Sequence, residues 1–176
     1  FENLLALSEL YDFKLHKIEP QNVDEVTISS TKIRNAIAEG DIEKANSYLC
    51  CDFAINGKVE KGNKIGNSIG FPTANIKVVN NWKLLPKDGV YAVKVFIEHQ
   101  QFYGMLNIGV RPTIKDDSHI IEVHIFDFNK DIYNQNIKIE FSERIRGEKK
   151  FENLDALKKQ LQIDESKCKK IFNLLR

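Results

Sequence analysis

Four runs of β-branched and aromatic residues constrain this chain more than anything else in it. "GVYAVKVFI" (89–97), "QFYGMLNIG" (101–109), "HIIEVHIFDF" (119–128) and "NIKIEF" (136–141) have period-two character and are separated by polar or glycine-bearing turns. Alternation at that period puts successive side chains on opposite faces of a strand. Several short strands at such intervals predict a small antiparallel barrel or sandwich, because closure removes the exposed edges.

The period is different on either side. Upstream, "ISSTKIRNAIAEGDIEKANSYL" opens on Ser29, Ser30 and Thr31, and Ile33, Ile37 and Ala38 recur at helical spacing. Gly40 is a natural C-terminal stop, Asp41 a natural N-cap, and a second short helix follows through Ile42, Ala45 and Leu49. This predicts a helical hairpin. Before it, residues 1–28 offer an apolar stretch (Leu4, Leu5, Leu7, Leu10) and an extended segment ending at Pro20, too little for a core. Downstream of Phe151 the helical period returns. Leu154, Leu157 and Leu161 mark one face and Cys168, Ile171, Phe172 and Leu175 another, with a break expected at Asp164.

With 176 residues, 42% of them hydrophobic, one core can be buried and a second full-sized domain would be crowded. A net charge of +1 argues against a protein built to grip nucleic acid, and no apolar run reaches the length of a membrane helix. The three cysteines form neither a disulfide framework nor a metal pair, so a reducing, cytoplasmic setting is expected. The chain begins at Phe1 instead of methionine, as a fragment would.

Three places carry residues suited to chemistry. In "GNKIGNSIGFPTANI" (62–76), Gly62, Gly66 and Gly70 free the backbone and Pro72 then forces it extended. The segment is not a dinucleotide fingerprint, and the neighbouring "GKVEKGNK" fails as a phosphate loop because Asn63 stands where the lysine belongs. Its amides could approach an anion, or it could be a turn between strands. The extended chain puts Thr73 and Asn75 on one face, where they are either hard-oxygen ligands suited to Mg²⁺ or solvated edge residues. On the third run, Glu122 and His124 share a face with Phe126, opposite Ile121, Val123 and Ile125. Glu122 is either an exposed carboxylate or a general base, and His124 reads as a structural hydrogen-bonding partner. Finally, "ERIRGEKKF" (143–151) sets Arg146, Glu148 and Phe151 around a glycine, as a flap over a planar ligand or as a charged connection.

The order of "GFPTANI", "LPKDGVYAVKV", "NIGVRPTI", "IEVHIFDF" and "IRGEKKF" closely resembles the riboflavin kinase domain of the bacterial bifunctional riboflavin kinase/FAD synthetases, from about Leu49 onward. The resemblance implies a mainly β fold, a six-stranded antiparallel (Greek-key) barrel with a C-terminal helix, at residues 49–176. Residues 1–48 look like the end of the preceding adenylyltransferase domain, whose Ser-Ser-Thr…Arg segment helps bind nucleotide phosphates.

The implied reaction is ATP-dependent phosphorylation of the riboflavin 5′-hydroxyl to give FMN and ADP. Glu122 would be the base. Gly62, Lys64, Gly66, Gly70, Thr73 and Asn75 would bind the nucleotide, and Thr73 and Asn75 would also ligand Mg²⁺. Arg146, Glu148 and Phe151 would cover the flavin. Asn67 stands where the family often has a basic residue, and Cys50-Cys51-Asp52 where it commonly has Gly-Arg-Pro. The fragment is expected to be monomeric, to bind small molecules but no nucleic acid or membrane, and to make no FAD itself. The alternative is a flavin-binding barrel without catalysis, acting as a sensor or carrier.

Overall fold

The computed structural model describes residues 1–17, 22–23, 26–61, 66, 69–80, 82–110 and 119–174. Helix α1 (Glu2–Tyr11) leads to a two-stranded ribbon of β1 (Asn22–Val23) and β2 (Val26–Thr27). The helical hairpin follows as α2 (Ser30–Glu39) and α3 (Ile42–Leu49). Six strands come next: β3 (Ala54–Glu60), β4 (Ala74–Val78), β5 (Gly89–Ile97), β6 (Gln100–Val110), β7 (His119–Ile125) and β8 (Asn136–Arg146). Helix α4 (Leu154–Ile171) closes the chain's regular structure.

The strands form a closed antiparallel barrel in the order β3-β4-β7-β6-β5-β8. Three consecutive strands, β5, β6 and β7, are joined as meanders, and β8 returns to pair with β5, which is the Greek-key arrangement. β3 closes the ring by pairing with both β4 and β8. The expected fold is therefore the observed one.

The expected caps also hold. Ser29 accepts from Lys32 N at 3.3 Å, Asp41 accepts from Lys44 N at 3.3 Å, and Gly40 sits in the left-handed region at φ 79°. The hairpin packs on the barrel: Ala36, Ile37, Ile42 and Ala45 join Ile55, Tyr91, Val93 and Phe141 in one apolar cluster. Asn46 clasps the join, donating to the Phe141 carbonyl at 2.8 Å and accepting from Phe53 N at 2.7 Å.

Why β5 is apolar nearly throughout follows from its position. Tyr91, Val93 and Val95 point into the barrel, while Val90 and Ala92 point outward beneath α4. There they meet Met105, Phe71, Phe126 and Cys168, a second cluster onto which Leu161, Ile171 and Phe172 pack. Each fully buried aliphatic or aromatic side chain contributes about 1.5–3 kcal/mol, so both clusters matter to stability.

Three boundaries differ from expectation. β7 ends at Ile125 because Asp127 takes a left-handed turn at φ 53°. β8 runs on to Arg146, so the first half of the expected flap is strand, irregular where it passes Val90–Val93. α4 is unbroken across Asp164, which is fully buried in mid-helix. A partner satisfies that carboxylate, and the helix has no reason to end there.

Candidate active site

On the outward face of the barrel, register aligns one side chain from each strand. Glu60 stands opposite Asn75, Asn75 opposite Glu122, and Glu122 opposite Asn107. Val90 and Arg146 complete the row on β5 and β8. Directly opposed residues on one face have Cβ atoms about 4.5–5.5 Å apart, so Glu122 lies between two carboxamides. The alternation at β4 is as expected: Ile76 is buried in the barrel, and Thr73 and Asn75 face outward.

A cavity of about 340 Å³ opens over this row. Glu122, His124 and Asn107 form its floor, and Thr73 and Gly66 one rim. Arg146, Glu148 and Phe151 form the opposite rim, and Leu157 and Leu161 of α4 its apolar side. The structure thus brings Gly66, Thr73, Glu122, Arg146, Glu148 and Phe151 to one space, with Asn75 beside Glu122 in register. Gly70 lies in the turn just before Phe71, with φ 85° and open space where a β-carbon would sit. Gly62 and Lys64 lie outside the described residues.

A second cavity, about 310 Å³, lies on the other side of Thr73. Val59 lines it from the barrel, Pro72 from the segment before β4, and Phe128, Asp131 and Tyr133 from the turn after β7. Thr73 borders both spaces. Sequence reasoning missed this second cavity and Asn107. The turn residues resemble any polar connection, but a lone asparagine in "GMLNIG" was a usable signal.

Several bonds hold these groups in place. The Pro72 carbonyl lies 2.7 Å from His124 Nδ1, and since a carbonyl can only accept, that nitrogen carries the proton. Phe71 and Phe126 flank the imidazole at 5.4 and 5.8 Å. Phe71 N donates to the Gly66 carbonyl at 2.8 Å, and a β-carbon on Gly66 would strike the Phe71 carbonyl. Glycine is required there by close backbone approach.

Arg146 is more tightly held than a free flap residue would be. Its Nε and Nη2 donate to Asp164 Oδ2 at 2.9 and 2.8 Å, and Nη1 to the Gly147 carbonyl at 2.9 Å. Gln160 donates to Asp164 Oδ1 at 2.9 Å. The guanidinium carbon stands 5.8 Å from the Phe151 ring centre. Below, burial pushes the Cys168 thiol up to about 12, with the Asp164 charge adding to the effect.

Among the described residues no three His, Cys, Asp or Glu side chains gather as a metal site, and no helix is long and apolar enough to cross a membrane. Thr73 and Asn75 offer two neutral oxygens on one face. Such a set fits a Mg²⁺ ion that draws its remaining ligands from water and phosphate.

The chain matches the Flavokinase (riboflavin kinase) family over residues 49–172. It is 41% identical over 174 residues to a bifunctional riboflavin kinase/FMN adenylyltransferase of Haemophilus influenzae, covering 98% of this chain and 56% of the relative. A protein of the same description from Bacillus subtilis is 40% identical over 162 residues, covering 90% and 51%. The chain thus spans about half the length of these curated relatives. A solved structure described as a macrolide-efflux protein from Streptococcus pneumoniae superposes with a TM-score of 0.83 at 36% identity, covering 91% of this chain and 52% of that one.

Proposed function

This chain belongs to the riboflavin kinase family, and from that premise we propose that it transfers the terminal phosphoryl group of ATP to the 5′-hydroxyl of riboflavin. The observation that carries this reading is the position of Thr73 between two cavities, one of which has Glu122 on its floor. Two substrates that must meet at one atom need two adjoining spaces and a shared wall. Riboflavin occupies the larger space, with its ring against Leu157, Leu161 and Phe151. The nucleotide occupies the smaller, with its phosphates reaching past Thr73 toward Gly66 and Gly70; Gly62 and Lys64, which lie outside the described residues, are assigned to the same nucleotide from the sequence alone.

Glu122 takes the proton of the 5′-hydroxyl as that oxygen attacks the γ-phosphorus. The bond to the β-phosphate oxygen breaks and ADP leaves. Positioning and charge neutralisation dominate such transfers, and a well-placed base adds about 10²–10⁴-fold. Mg²⁺, held by Thr73 and Asn75, would neutralise charge on the phosphates. His124 fixes the Pro72 carbonyl, so the segment bearing both ligands keeps its distance from the base. Arg146, Glu148 and Phe151 flank the flavin, with Arg146 tied back to α4 through Asp164.

A carrier without catalysis would need neither a second cavity nor a carboxylate beside the first, which supports the kinase reading over that alternative. Incubation with riboflavin, ATP and Mg²⁺ tests it: FMN and ADP should appear in equal amounts. Flavin binding without turnover would favour the carrier.

A further inference from the structure

We infer that Asn107 reads the hydroxylated side chain of the flavin and so sets the enzyme's preference for a sugar-alcohol substituent; this rests on the kinase reading above. Along the outward row, Glu122 on β7 is followed by Asn107 on β6 and then by Val90 on β5. One strand spacing is about 4.8 Å. A carbon chain covers that in roughly three or four atoms at ordinary bond lengths. With the reacting hydroxyl at Glu122 and the ring system over the apolar wall, the internal hydroxyls pass Asn107.

The chemistry suits that position. Glu122 and Glu148, the carboxylates lining this cavity, only accept hydrogen bonds when ionised, whereas a carboxamide both donates and accepts, as a hydroxyl does. Asn107 Nδ2 lies 3.4 Å from where a β-carbon on Gly109 would sit, and a Glu148 carboxylate oxygen lies near the same point, so the amide and the flap residue share one part of the cavity wall. Asn107 is half-buried, so an analogue lacking these hydroxyls leaves the amide desolvated and without a partner.

The test compares riboflavin with its 10-(5-hydroxypentyl) analogue, which keeps the ring and the reacting hydroxyl and lacks the three internal ones. Binding of each is measured by flavin fluorescence titration without ATP. Wild type should bind riboflavin about tenfold more tightly than the analogue, the scale of one or two hydrogen bonds. Asn107→Ala should weaken riboflavin about tenfold and change the analogue by less than about twofold, so that the preference collapses. Asn107→Leu, which fills the same space, should do likewise and covers the case in which the truncated side chain disturbs folding.

Equal weakening of both ligands, or of neither, would overturn the assignment. So would failure of both variants to fold, which would make Asn107 structural. FMN formation is followed in parallel. A preference that depends on Asn107 without turnover would remove the kinase reading and leave this one standing. Turnover with a preference independent of Asn107 would do the reverse.

Discussion

His124 on β7 donates from Nδ1 to the carbonyl of Pro72 at 2.7 Å, joining the strand that carries Glu122 to the segment that carries Thr73 and Asn75. Proline has no N–H of its own, so this carbonyl bond is how the barrel grips the segment at that point. Replacing the imidazole should loosen the phosphate side of the site more than the flavin side. For His124→Ala we expect the KM for ATP to rise about tenfold, in line with one lost hydrogen bond, with riboflavin affinity changed by less than about threefold. Steady-state kinetics and flavin titration on one preparation check this.

Gly66 and Gly70 should respond differently to alanine. A β-carbon at 66 meets the Phe71 carbonyl, a backbone atom that cannot move without shifting Thr73. At 70 there is space, and the cost is the left-handed backbone, about 1 kcal/mol. Gly66→Ala should therefore lower kcat/KM for ATP by roughly tenfold or more, since small misplacements of positioning groups are costly. Gly70→Ala should lower it by a few-fold at most.

The outcome at Asp164 shows where sequence reading reaches its limit. A carboxylate in a helical pattern resembles an end or an exposed face, and only its partners, Arg146 and Gln160, make mid-helix burial affordable. β3 was equally hard to see, because Asn56 and Gly57 interrupt its apolar pattern. Gly57 is glycine because a β-carbon there would collide with the Ile76 side chain across the ladder. By contrast, β5 to β8, the hairpin caps and the alternation at Thr73 and Asn75 were legible, since they rest on local period and local hydrogen bonding. The two cavities depend on how distant segments meet, which no local pattern encodes.

Breaking the Arg146–Asp164 pair should be expensive. Asp164→Ala leaves a guanidinium that is largely covered without its carboxylate. The expected loss is about 2–4 kcal/mol in urea unfolding, toward the lower side of the range for a broken buried pair because Arg146 keeps some solvent contact. Flavin affinity should fall as well, since Arg146 lines the cavity and stacks near Phe151.

Alkaline pH should destabilise the fold through two buried acids. Burial raises Cys168 from 9.0 and Tyr91 from 10.0, each to about 12. Raised values mean that the folded state favours the neutral forms. Their stabilisation is full below about pH 9 and is lost as pH climbs toward 12. The Tm should fall by several degrees between pH 8.5 and 11, and less steeply in Cys168→Ala than in wild type. In the native protein at neutral pH, a thiol reagent should titrate the exposed Cys50 and Cys51 and reach Cys168 only on unfolding.

The central claim, that Glu122 is the base for phosphoryl transfer to riboflavin, is tested most directly by kcat for FMN formation in Glu122→Gln beside wild type. Glutamine keeps the shape and the row between Asn75 and Asn107 but cannot take the proton. The account predicts a fall in kcat of about 10²–10⁴-fold with riboflavin binding retained within a few-fold. FMN formation at the wild-type rate by this variant would contradict it.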